Sequence, residues 1–184
     1  MRLSLAVFAA IVLLAGMSAC TTPGAQALTE ARTPFILEQL EEEVDSGIDV
    51  DRINWVAIDY EYTGEDYGTN GAERIALKIE FVADNEAASY AVADYYFHYS
   101  DDDDGAVDSD PDETDKLEAL ELAVYEDEET ASAEFDALEA DVESYGELIE
   151  GLVDELQDDE EDIELDLADG EGTFEEDSLE ALLP

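Results

Sequence analysis

The chain carries far more acidic than basic side chains, and this constrains its fold more than any other feature. Its 184 residues include 54 Asp and Glu against 6 Lys and Arg, which gives a formal net charge of −48. Charge of one sign repels itself and opposes compaction in dilute buffer. The acids nevertheless interleave with apolar residues at regular periods, and 46% of the residues are hydrophobic. We therefore expect one folded domain with an apolar core inside an acidic surface.

The acidity also predicts the medium and excludes one class of partner. Lys78 and Lys116 are the only lysines, and this scarcity, with acids in every segment, resembles proteins of halophilic archaea and salt-adapted bacteria. At 1 M salt the Debye length is about 3 Å, so most of the repulsion is screened. An acidic tail would explain residues 154–177 but not the acids in the strands, and a cation-sequestering or nucleic-acid-mimicking protein is the other alternative. Direct binding to nucleic acid is disfavoured because few cations are available to contact phosphates.

Residues 1–19 read as a secretory signal that ends at a lone cysteine. Arg2 gives a positive start, the stretch that follows is apolar, and the segment contains no acid. It is too short for a comfortable transmembrane span. Cys20 is the only cysteine, so an intramolecular disulfide and a multi-cysteine metal site are both excluded.

The residues Met17-Ser18-Ala19-Cys20 resemble the lipobox of prokaryotic lipoproteins, with Met17 where Leu is usual. The resemblance implies cleavage before Cys20, a diacylglyceryl group on its thiol, and an extracytoplasmic protein anchored to a membrane. Two acyl chains would anchor the protein stably. The alternative is an ordinary signal peptide, cleaved near Ala19, with an incidental cysteine.

We expect four parts: a signal peptide at 1–19, a lipidated tether at 20–28, a domain at 29–156, and an acidic, disordered tail at 157–184. Thr33 as N-cap and Pro34 at the first helical position predict a helix at 34–46, or one beginning nearer Thr29. Alternating apolar residues predict strands within 53–62, 75–81 and 120–124. Residues 88–99 fit a strand or a helix, and their aromatic run favours a strand.

A long amphipathic helix follows the strands. Its apolar residues recur at steps of three and four and so share one stripe: Phe135, Leu138, Val142, Tyr145, Ile149, Leu152 and Leu156. The period also fits a coiled coil, but packing on the sheet is favoured, so we expect a monomer rather than a coiled-coil oligomer. The fold class is therefore α+β. We expect two layers, with an N-terminal helix and this C-terminal helix covering one face of a four-stranded antiparallel meander. The architecture is similar to cystatin-like and NTF2-like folds.

The strand segments are rich in tyrosine, a rigid and amphipathic residue that is common at recognition surfaces. These residues either complete the core or form a ligand surface on an exposed face of the sheet. The candidate ligand surface comprises Tyr60, Tyr62, Tyr95, Tyr96, His98 and Tyr99.

An acidic loop follows these aromatic residues and is the weak candidate for a metal site. An EF-hand does not fit, because Gly105 at its sixth position would put Pro111 where a bidentate Glu is required. The loop reads as a solvated charge run, with weak Ca²⁺ or Mg²⁺ binding as the alternative. Its acids are Asp101, Asp102, Asp103, Asp104, Asp108, Asp110 and Asp112.

No catalytic residue set is recognisable in the sequence. His98 is the only histidine, and no serine lies in a nucleophile-elbow sequence. We expect a non-enzymatic binding or structural module with an unknown protein or small-molecule partner, and no cofactor beyond weakly bound Ca²⁺ or Mg²⁺. The alternatives are an enzyme with an NTF2-like pocket, lined by an acid and His98 or tyrosines, and a surface protein that binds divalent cations weakly.

Overall fold

The computed structural model describes residues 23–64, 68–83, 87–101, 115–159, 164–175 and 179, so the signal segment and Cys20 lie outside the described residues. The elements are α1 (Pro23–Val44), β1 (Ile48–Gly64), β2 (Gly68–Ala83), β3 (Ala88–Asp101), β4 (Asp115–Tyr125), α2 (Glu128–Asp159) and β5 (Glu164–Glu175). The strands form one antiparallel sheet in the order β4-β3-β2-β1-β5. The predicted α+β class is confirmed, and 88–99 lies in a strand.

The fifth strand is absent from the predicted meander. We expected residues 157–184 to be a disordered tail, and this is wrong for Glu164–Glu175. That segment pairs with β1 from Arg52↔Glu175 to Thr63↔Glu164, and Arg52 Nε lies 3.5 Å from Glu175 Oε1. An edge strand takes its backbone hydrogen bonds from one neighbour and needs few apolar side chains, so an acidic segment can fill this place.

The two helices lie on opposite faces of the sheet, so the domain has three layers rather than the predicted two. Trp55 and Ala57 point to the face that α1 covers, here called the α1 face, while Val56 and Ile58 point to the α2 face. All four side chains are buried. A continuous apolar run in a central strand signals burial on both sides, and each helix therefore covers one face.

Helix α1 begins earlier than the sequence predicted. It includes Pro23–Leu28, which the sequence predicts to be part of the tether, and places Thr33 in its interior rather than at its N-cap. The Thr33 hydroxyl donates to the Thr29 carbonyl at 2.8 Å, and both threonine side chains are buried. Threonine can bond to the preceding helical turn as well as cap a helix, and the sequence alone did not separate these two roles.

Helix α2 turns the predicted stripe toward the sheet, with Leu138 and Tyr145 half-buried, but the buried positions depart from the stripe near the end of the helix. Phe135, Val142 and Ile149 are buried, whereas Leu152 is 42% exposed and Val153 is buried in its place. A straight helix drifts by about 20° per heptad relative to a 3.5-residue repeat. The buried position therefore moves one residue along after three heptads, and the side chain of Leu156 lies outside the described part.

Candidate functional site

The predicted ligand surface is divided between the two faces of the sheet. Tyr95 points to the α1 face, is 2% exposed and meets the ring of Phe35 edge to face at 6.4 Å. Successive side chains of a strand point to opposite faces, so Tyr95 cannot join Tyr96 and belongs to the core. Tyr60, Tyr62, Tyr96 and His98 share the α2 face. The side chain of Tyr99 lies outside the described part.

Tyr145 of α2 brings the tyrosines of the α2 face together. Its hydroxyl lies 3.2 Å from that of Tyr60, and its ring meets Tyr96 edge to face at 6.4 Å. Tyr96 stacks on His98, and Tyr60 stacks on Tyr62. The sequence pattern predicts Tyr145 only as a core residue of the helix stripe. The signal that could have identified Tyr145 is its phenol hydroxyl, because the other residues of the stripe are all apolar.

Arg74 of β2 fixes the position of this aromatic cluster. Its Nη2 lies 3.1 Å from Asp94 Oδ2, and its Nε donates to Asp94 Oδ1 at 3.3 Å. Its Nη1 also donates to the carbonyl of Asp141 at 3.5 Å, and its guanidinium carbon lies 6.0 Å from the centre of the Tyr145 ring. These contacts join β2, β3 and α2 at one point. No sequence motif marks Arg74, and its only signal in the sequence is that it is one of six cations.

The phenol groups of Tyr96 and Tyr145 stay protonated near neutral pH. Burial raises the pKa of Tyr96 to about 12, with the hydrogen bond to Tyr145 as the next cause. Burial likewise raises the pKa of Tyr145 to about 12, with the hydrogen bond to Tyr60 as the next cause. The two hydroxyls therefore act as hydrogen-bonding groups rather than as bases or nucleophiles.

An open groove of about 300 Å³ lies beside this cluster, between α2 and β4, and we call it the tyrosine groove. Its volume is at the lower end of the range for small-molecule sites. The groove offers aromatic surface, phenol hydroxyls and carboxylates, so it suits a ligand that is neutral or cationic and partly apolar. It is lined by Arg74, Asp94, Tyr96, Ala119, Glu121 and Tyr145.

A second polar cluster on the α1 face is structural. Arg32 of α1 donates from Nε and Nη2 to the two carboxylate oxygens of Glu73, each at 2.7 Å. Its guanidinium carbon lies 5.9 Å from the centre of the Tyr95 ring. Burial raises the pKa of neighbouring Asp59, and the charge of Glu73 raises it further. The ion pair holds α1 against the sheet.

The predicted metal candidates are not brought together by the described structure. Asp101 ends β3, but its side chain and the six other acids of the loop lie outside the described part. Among the residues that the structure does describe, no group of three or more His, Cys, Asp or Glu side chains could hold a metal ion. Within the same residues, no helix has the length and apolarity to cross a membrane.

His98 does not line the tyrosine groove, but the groove brings carboxylates and tyrosines together, which are residue types that the enzyme alternative also requires. A comparison of the chain with protein-family models, curated proteins and solved structures gave no match.

Proposed function

We propose that the chain is a lipid-anchored, extracytoplasmic binding module without catalytic activity that works in concentrated salt. The proposed anchor is supported by the position of the first described element: α1 starts at Pro23, three residues after Cys20. Both faces of the sheet are covered by helices that begin at or after this point. Cleavage before Cys20 would therefore leave the described domain intact.

The observation that carries the binding role is the tyrosine groove. Tyr145 and Arg74 are each held by several contacts, so the groove is preformed rather than assembled from loops. A rigid site loses little conformational entropy when a ligand binds. The net charge of −48 disfavours anions. Ring stacking and direct hydrogen bonds act at contact distance, so they persist in salt that screens long-range attraction.

The anchor is tested by expressing the full precursor in a bacterium with a lipoprotein pathway. We expect the wild-type protein to partition into the detergent phase and to carry the mass of a diacylglyceryl group on Cys20. The Cys20→Ser variant should stay in the aqueous phase, while the control Ser18→Ala should behave as wild type. A wild-type protein without the added mass would contradict the anchor and leave the binding role open.

The groove is tested by NMR titration of the processed protein in 2 M KCl with phenyltrimethylammonium, which combines an aromatic ring with a permanent cation. We expect saturable shifts at Ala119 and Tyr145 that are lost in Tyr96→Ala. Tyr125→Ala is the matched control, because Tyr125 lies on the same face further along β4 and is not part of the groove lining. Shifts that persist in Tyr96→Ala, or that never saturate, would contradict a binding role for the groove.

A further inference from the structure

A larger groove runs along the opposite side of α2, between this helix and strands β1 and β5, and has a volume of about 480 Å³. Its floor is apolar and is formed by Val56 and Ile58 of β1, Leu167 of β5 and Val142 of α2. Gly146 lets the helix lie close, since a Cβ added there would be 2.8 Å from Ile58 Cδ1. Strands and a helix form every wall, so the groove is a stable part of the fold.

Carboxylates form both rims of this groove. Glu143, Glu147 and Glu150 project from α2, and Asp169 and Glu171 project from β5. Within the lining that the structure describes, there is no Lys, Arg or His. The groove therefore combines an apolar floor with two rows of negative charge and has no basic side chain of its own to balance them.

The charge is concentrated further where α2 and β5 meet. Glu171 also lines an adjoining cavity of about 180 Å³ together with Glu139. Burial raises the pKa of the Glu139 carboxyl, and its hydrogen bond to Glu171 and the charge of Glu171 raise it more. Two carboxyl groups thus lie close together across the helix–strand junction, and a cationic group placed beside them would stabilise both.

The floor and the rims together define the chemistry of the occupant. A hydrated metal ion would leave the apolar floor uncovered, and no described group of three acids converges on one point. An aliphatic chain with terminal ammonium groups matches both features, because its methylenes would cover the floor and its ammonium groups would reach the rims. Burial of methylenes still contributes in concentrated salt, where long-range attraction does not.

We propose that this groove, here called the acidic groove, binds a small aliphatic polyamine. The site is separate from the tyrosine groove and does not depend on the lipid anchor, so either of those proposals can fail without affecting this one. Glu147 and Asp169 provide a carboxylate from each wall, and Leu167 contributes to the floor between them.

The test is calorimetric titration of the processed protein in 2 M KCl with 1,3-diaminopropane, 1,5-diaminopentane, spermidine and MgCl₂. We expect saturable binding of the amines, with affinity rising about fourfold for each methylene that reaches the floor. Mg²⁺ should give no saturable heat. Affinity that is independent of chain length, or Mg²⁺ binding as tight as spermidine binding, would overturn the proposal.

Variants separate the groove from general surface acidity. Glu147→Gln with Asp169→Asn should weaken spermidine binding by tenfold or more. Glu38→Gln with Glu42→Gln on the exposed side of α1 removes the same charge and should leave binding unchanged. An equal loss of spermidine affinity in the two double variants would overturn the assignment of the binding site to the acidic groove. If a tetra-lysine peptide binds more tightly than spermidine, the groove is a site for basic peptides. That result would overturn the proposal of a small polyamine ligand.

Discussion

The two faces of the sheet are made by the same strands but are packed differently. On the α1 face, Ile36 and Leu40 join side chains of β1, β2, β3 and β5 in one continuous cluster. On the α2 face the buried side chains form two smaller clusters, and open grooves lie on both sides of the helix. A continuous core contributes most to stability, whereas preformed grooves are where ligands bind. We therefore expect the α1 face to contribute most of the stability, while both proposed ligand sites lie on the α2 face.

The scarce cations follow the same division. Arg32 joins α1 to β2 through Glu73, which is 15% exposed. On the other face, Arg74 joins β2 to Asp94 and to α2, and Lys78 Nζ donates to Ser132 Oγ of α2 at 3.0 Å. Each of these three cations therefore stabilises a junction between a helix and the sheet.

The largest expected effect is the loss of the fold at low salt, and it should separate the two faces. Below about 0.5 M KCl, the repulsion between neighbouring acids is no longer well screened. We expect this repulsion to offset the entire free energy of unfolding of the domain. The acidic groove concentrates this repulsion beside α2. We expect far-UV circular dichroism to fall before the emission of Trp55 shifts, since Trp55 is buried on the α1 face against Phe174.

Coincident transitions in that salt titration would mean that the two faces unfold as one unit. Full circular dichroism in dilute buffer would contradict the salt requirement itself.

A pair of identical deletions compares the cores directly. Ile36→Ala on the α1 face should cost about 4–5 kcal/mol, and Ile149→Ala on the α2 face about 2–3 kcal/mol, because a site that can relax leaves a smaller cavity. Both side chains are buried, but α2 has open grooves beside it into which it can shift. Urea denaturation in 2 M KCl measures both values. A larger cost for Ile149→Ala would reverse the assignment of the two faces.

Substitution of Arg74 and of Arg32 should give a smaller difference in the free energy of unfolding between the two faces. Arg74→Met should cost about 1–2 kcal/mol, because Arg74 and Asp94 are largely buried, at 19% and 21% exposure, and Asp94 would lose its partner. Arg32→Met should cost about 1 kcal/mol or less, since Arg32 is 37% exposed and solvent screens its ion pair. The same urea measurement applies. Lysine at position 74 should restore only part of the loss, because it cannot form both hydrogen bonds to Asp94.

The smallest effect is a pH-dependent gain in stability at Glu139, in the cavity that adjoins the acidic groove. The raised pKa of Glu139 means that folding favours its protonated form. The stabilisation is complete below the ordinary glutamate pKa and is lost as the pH rises through the raised value. Glu139→Gln should therefore stabilise the domain at pH 7 and have little effect at pH 4. Exposed Glu134 provides the matched control. An equal gain in stability from Glu134→Gln would show that the effect comes from general removal of charge and not from the burial of Glu139.

The sequence predicted most of the sheet and little of the candidate site. Alternation identified β1, β2 and β4, and the aromatic run favoured a strand for β3. Strand β5 was missed because its acids outweigh the alternating Leu165 and Leu167. The placement of Tyr95 and Tyr96 on opposite faces follows from alternation alone. The partnership of Tyr145 with Arg74 could not be predicted, because it depends on which helix covers which face.

The position of β5 also affects when the chain can fold. Strand β1 lies between β2 and β5, so part of its hydrogen bonding must wait for residues that are synthesised more than 100 positions later. Gly24 of α1 packs against Ala168 of β5 as well, because a Cβ added to Gly24 would be 2.9 Å from Ala168 Cβ. Early segments thus lack their partners until nearly the whole chain has been made. The sheet therefore cannot be complete before β5 is available, which is compatible with the proposed export of the chain before it folds.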